Sequence, residues 1–89
     1  MNREMDKEDF KQALPADCVR DCSARGDVTG IVRDWAEDSE IARLFPSAES
    51  IRADLAEHGA WDDAELQDES ANRERYLWTA ACDRAEEEK

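Results

Sequence analysis

The chain has 89 residues, 24 Asp and Glu against 12 Lys and Arg, and a net charge of −12. That length suits one domain with one modest core, and a field of that sign repels nucleic acid and anionic membrane while attracting basic surfaces. No run approaches the ~18 apolar residues of a membrane span, and the N-terminus, Met-Asn-Arg-Glu-Met-Asp, has no signal-peptide pattern, so a cytoplasmic protein is expected.

Residues 1–5 are expected to fray. Asp6 is placed to cap a short helix through Leu14, with Glu8 and Asp9 in the first turn, where the helix dipole favours acids. Pro15 suits the first position of a second helix running to about Arg25, or the kink of one longer helix. Gly26 is a left-handed stop. A third helix starts at Asp27 or Thr29 and spaces Val28, Ile31, Val32 and Trp35 as an inward face. The run Glu37-Asp38-Ser39-Glu40 predicts a break, with Ser39 capping a short turn that ends at Pro46. Ser47 caps a helix through about His58, with Ile51 and Leu55 inward, and Gly59 closes it.

The stretch 59–89 is the longest helical pattern, and the rest of the chain is expected to fold against it. Asp62 and Glu65 match a capping box, Leu66 sits in a single turn, and a break follows near Asp68–Ser70. In the last helix, Ala71, Leu77, Trp78, Ala81, Cys82 and Ala85 share one arc of the helical wheel, while Tyr76, Ala80 and Arg84 face away. Glu74 lies inside the apolar arc, so it either protrudes beyond the core, which is the simpler case, or pairs with an arginine such as Arg52 or Arg33. No segment alternates with the period of a strand. The expected fold is all-α: a small compact bundle of four to six short helices packed on the C-terminal one, in a single domain frayed at 1–5 and 86–89.

Few residues suggest chemistry. Cys18, Cys22, Cys82 and His58 offer four soft ligands, but the first two lie in a helix interior rather than the loop knuckles of a structural zinc site. Buried reduced thiols account for them, with no secretory signal to favour disulfides. His58 suits a helix C-terminus. Asp62, Asp63 and Glu65 lack the alternating oxygen ligands and central glycine of a calcium loop. No nucleophile has a convergent base. The expectation is a protein with no metal, no cofactor and no enzymatic activity.

The acids are more informative. Residues 1–26 carry 6 acids against 5 bases, 27–58 carry 8 against 3, and 59–89 carry 10 against 4. Solubility asks only for a net charge of roughly 2–8 in magnitude from a small domain. Asp21–Arg25 and Glu69–Arg73 are spaced to pair within a helix. The surplus comprises Asp34, Glu37, Asp38, Glu40, Asp54, Glu57, Asp62, Asp63, Glu65, Asp68 and Glu69. Duplex DNA carries a charge every ~1.7 Å of axis, so the net charge corresponds to roughly 20 Å of duplex. A rigid helical scaffold holding carboxylates about 5–6 Å apart presents a phosphate-like array. Trp61, in a loop beside Asp62 and Asp63, is the aromatic best placed to anchor a basic partner; Trp35 and Trp78 read as core. The candidate partner-binding residues are therefore Asp34, Glu37, Asp38, Glu40, Trp61, Asp62, Asp63, Glu65, Asp68 and Glu69.

The run Gly-Ala-Trp-Asp-Asp-Ala-Glu-Leu from Gly59 to Leu66, with Ala71-Asn72-Arg73 and Leu77-Trp78-Thr79-Ala80-Ala81-Cys82, resembles small acidic orphan proteins of phages and integrative mobile elements. The resemblance covers the last third of the chain and brings no catalytic residues. The neighbours of such proteins include anti-CRISPR and anti-restriction inhibitors. Taken with the acidic array, the expectation is a non-enzymatic inhibitor from a mobile element, monomer or weak dimer, bound to the basic surface of a nucleic-acid-binding host complex. The alternative is a helical adaptor or regulatory subunit, acidic for solubility only, with a contiguous apolar patch on its surface.

Overall fold

In the computed structural model, residues 6–88 are described. Helix α1 spans Lys7–Ala13 and starts where the Asp6 carboxylate accepts from the Asp9 amide at 2.9 Å. Leu14 is extended (φ −67°, ψ 133°), the conformation imposed on a residue before proline. The chain therefore breaks at Pro15, and α2 is a separate helix, Ala16–Cys22. It ends three residues before Arg25, and Gly26 turns the chain at φ 101°. Helix α3 (Thr29–Glu37) is followed by α4 (Ser39–Ala42), which Asp38 rather than Ser39 caps. Helix α5 (Ala48–His58) has Ser47 as its cap and Gly59 as its left-handed end, at φ 72°. A 3-10 turn, Glu65–Gln67, leads into α6, Glu69–Glu87. There is no strand among the described residues, and the fold is the all-α bundle expected. The last helix runs through Glu86 and Glu87, two of the residues expected to fray; residues 1–5 and Lys89 lie outside the described residues.

Helix α6 is the hub: α1, α2, α3 and α5 all pack on it. That corrects the wheel drawn from sequence. Tyr76 and Ala80, assigned outward, are buried, together with Asn72 and Thr79. Trp78, assigned inward, is 42% exposed, as is Ile31 of α3. A helix surrounded on several sides buries more than half of its circumference, so apolar content alone does not mark the buried arc. Alanine at 80 and 81 admits close helix approach, and Tyr76 joins Phe10 and Phe45 in a ring cluster with centroids 4.9 Å and 6.3 Å away.

Polar staples tie the first helix to this hub. The Lys7 ammonium donates to Asp54 at 2.8 Å and Thr79 at 3.0 Å. Arg84, also assigned outward, folds its guanidinium over the end of α1 and donates to the carbonyls of Lys11 (3.2 Å), Gln12 (3.4 Å) and Leu14. The radius of gyration is 12.4 Å, close to the value of about 12 Å for a compact chain of this length.

A candidate protein-binding acidic surface

The candidate residues fall on two parts of the molecule. The first part is the α3–α4 corner. Asp38 ends α3 and begins α4 in an extended conformation, its carboxylate accepting from the Glu40 amide at 2.9 Å. Across from it on α2, Asp21 accepts from the Trp35 indole N–H at 3.2 Å. Asp21, Asp34 and Asp38 thus border one cleft of about 370 Å³, floored by Ile31 and Trp35. Glu37 and Glu40 stand exposed outside it.

The second part is the turn between α5 and α6. The predicted capping box is present: the Asp62 amide donates to the Glu65 carboxylate at 3.1 Å, and the Glu65 amide to Asp62 at 2.8 Å. Leu66 plugs the turn into the core. Buried Asn72 donates to the Leu66 carbonyl at 2.9 Å, while Arg75 donates to the Glu65 carbonyl at 3.0 Å and to the Asn72 side chain at 3.1 Å. The Arg75 guanidinium lies 5.6 Å from the Trp61 ring centroid, and His58 meets the same ring edge-on at 6.3 Å. Trp61 is therefore half-buried and clasped, a support for the turn as much as a contact. Asp63, Asp68 and Glu69 are exposed around it, and Asp68 caps α6 by accepting from the Ala71 amide at 3.1 Å.

The two parts meet through α6: α3 packs on that helix, which Asp68 caps and Glu69 begins, whereas neither α3 nor α4 packs on the 3-10 turn. What they share is the state of their charges. All nine candidate carboxylates are exposed, and none forms an ion pair among the described residues. The ion pairs use other acids. Asp54, counted as surplus from sequence, pairs with Lys7 at 2.8 Å, Glu8 with Lys11 at 2.9 Å, and Glu88 with Arg84 at 3.0 Å. Glu74 pairs with Arg33 at 3.4 Å, so pairing rather than protrusion accounts for it. Asp21 meets Arg20 at 3.6 Å rather than Arg25, and the spacing of Glu69 to Arg73 yields no pair.

The soft ligands do not converge. Cys18 and Cys22 are buried in α2 with sulfurs 4.0 Å apart, whereas His58 is held at the end of α5 by Lys7 at 3.1 Å. Among the described residues no group of three or more His, Cys, Asp or Glu is arranged to hold a metal ion. The hydrogen bond with Cys18, and then burial, push the Cys22 thiol up; burial does the same to Cys82. The Cys22 and Cys82 thiols thus stay protonated at neutral pH, while the same hydrogen bond holds the Cys18 thiol below its ordinary value.

Sequence reasoning missed the Ile31–Trp35 cleft and a groove of about 440 Å³ between α3 and α6, lined by Val28, Val32, Ala71 and Trp78. It also missed Asn72 and Arg75 as the residues that position the acidic turn. A polar Asn between helical apolar positions was the available signal, because such a side chain is kept inside only where it has a partner. No helix among the described residues is long and apolar enough to cross a membrane. Comparison with known proteins finds no matching family model, no matching curated protein and no matching solved structure.

Proposed function

We propose that this protein is a non-enzymatic acidic inhibitor, of the anti-CRISPR or anti-restriction kind carried by mobile elements. It binds the basic, nucleic-acid-binding surface of a host defence complex in place of the nucleic acid. The supporting observation is the set of nine exposed carboxylates without a cationic partner among the described residues, held on α3, at the start of α4 and around the turn that leads into α6, while the ion pairs take other acids. An anion that is neither neutralised nor buried keeps its field for an approaching cation, which speeds encounter and makes association sensitive to salt. The fixing of the turn by Asn72 and Arg75 lowers the ordering cost when a partner binds.

The test is competition against a DNA duplex for purified CRISPR effector and restriction complexes. Asp62 and Glu65 also cap the turn, so charge is best removed with the caps kept. The neutralised protein carries Asn at positions 34, 38, 62, 63 and 68 and Gln at 37, 40, 65 and 69. The native protein is expected to displace DNA at low salt and to lose this ability as salt rises; the neutralised protein is expected to fail with unchanged circular dichroism. Equal competition by the two proteins rules the reading out.

A second reading, the helical adaptor, is favoured by one observation: the exposed Trp78 in its groove between α3 and α6. An adaptor held there binds its partner with little dependence on salt and loses it on Trp78→Ser, with the neutralised protein unaffected.

A further inference from the structure

The cleft between α2 and α3 differs from an ordinary solvated acidic face in one respect. Its floor is apolar. Ile31 is one of two large hydrophobic side chains left exposed among the described residues, and Trp35 beside it is half-buried. Carboxylates meant only for solubility need no isoleucine between them. Trp35 is pinned by its hydrogen bond to Asp21, which is also met by Arg20, so the wall on the α2 side is fixed and its charge partly used. Asp34 and Asp38 on the other wall carry no ion pair among the described residues. Asp34 lies within α3 and Asp38 ends that helix four residues on, and both line the cleft, so a basic group in it faces two carboxylates.

We infer that this cleft receives a basic side chain, arginine above all, from a partner protein. The aliphatic stem lies on Ile31 and Trp35, and the charged head sits between Asp34 and Asp38. Long basic side chains combine an apolar stem with a hydrated head, and arginine suits paired carboxylates because its planar fork reaches both. The complementarity also selects against another occupant: a second copy of this chain brings the same −12 charge and is repelled. The inference rests on the acidic-inhibitor reading and adds to it. Of the two acidic parts, the α3–α4 corner grips the partner specifically, while the turn at 62–69 contributes long-range attraction.

Two short synthetic peptides of equal positive charge test this, one interleaving arginine with serine and the other lysine with serine, each titrated into isotope-labelled protein. The arginine peptide is expected to shift the amide signals of Ile31, Asp34 and Asp38 and the indole N–H of Trp35. It should bind about tenfold more tightly than the lysine peptide, a difference of about 1.4 kcal/mol, because the planar fork reaches both carboxylates. Ile31→Ser and the pair Asp34→Asn, Asp38→Asn are each expected to lower that affinity about tenfold; Asn keeps the α4 cap, and Ile31 is exposed, so folding is preserved. Asp62→Asn with Asp63→Asn and Glu65→Gln should change it by less than about twofold, as a screened rim charge does. Shifts confined to the 62–69 turn, unchanged by Ile31→Ser, overturn the cleft and leave the inhibitor reading standing. Absence of any shift with both peptides at low salt overturns both.

Discussion

Tyr76 shows how one side chain can set a property of the whole fold. Its ring packs 4.9 Å from Phe10, and the Lys7 ammonium lies 5.1 Å from the ring centroid. Burial first, and then the Asp54 carboxylate, push the phenol from 10.0 up to about 12. Between those values the unfolded chain has lost the proton and the folded one still holds it. The contribution of Tyr76 to stability is therefore complete below pH 10 and is lost as pH rises toward 12. Its size is on the order of 3 kcal/mol, since each pH unit separating the folded and unfolded titrations corresponds to about 1.4 kcal/mol. Tyr76→Phe is expected to remove this part of the alkaline decline, which urea midpoints of the two proteins across that window would show. Parallel curves would mean that the phenol does not hold its proton in the fold.

Among elements, α1 depends most plainly on a remote group. Seven residues form too short a helix to persist alone, and the carbonyls at a helix end have no partner in the next turn, although that of Lys11 also accepts from the Leu14 amide at 3.4 Å. Arg84 supplies the donors from α6, some seventy residues away in the chain. Arg84→Ala is expected to cost about 2 kcal/mol, as hydrogen bonds to a charged group do. Amide exchange in α1, at Phe10 above all, should accelerate before exchange in α5. Arg84→Lys should recover only part of the loss, since one ammonium does not reproduce a forked donor. An unchanged urea midpoint with unchanged exchange in α1 would show that apolar packing alone holds this helix.

At the scale of the molecule, a net charge of −12 on a body of 34 × 29 × 24 Å must repel itself. Among the described residues most of the acids have no ion pair, so screening should relieve more repulsion than attraction. The melting temperature is expected to rise as salt increases from about 0.01 M to about 0.15 M, where the Debye length falls from ~30 Å to ~8 Å. A fall over that range would mean that the Lys7, Lys11 and Arg84 pairs dominate the electrostatics. The same screening weakens binding to a basic partner, so the inhibitor reading requires stability and affinity to move in opposite directions with salt. The two acidic parts on separate elements suit an extended basic groove better than a single point contact.

Much of this protein was readable from its sequence, because many of its instructions are local. The caps at Asp6 and Ser47, the left-handed stop at Gly59, and the Asp62–Glu65 box each act within a few residues. Local chemistry therefore determined the helices, most of their ends and the all-α class. Tertiary structure alone decided which arc of α6 is buried, because that depends on how many helices surround it. It decided that Ile31 and Trp78 face outward, since a helical stripe wider than its neighbours can cover leaves its edge in water. It also decided which acids are spent in ion pairs: Lys7 finds Asp54 47 positions away and Arg33 finds Glu74 41 away. Coulomb attraction acts through space, and no spacing along the chain announces such pairs; the carboxylates without an ion pair among the described residues, on which the proposed function depends, emerge only once the helices have packed.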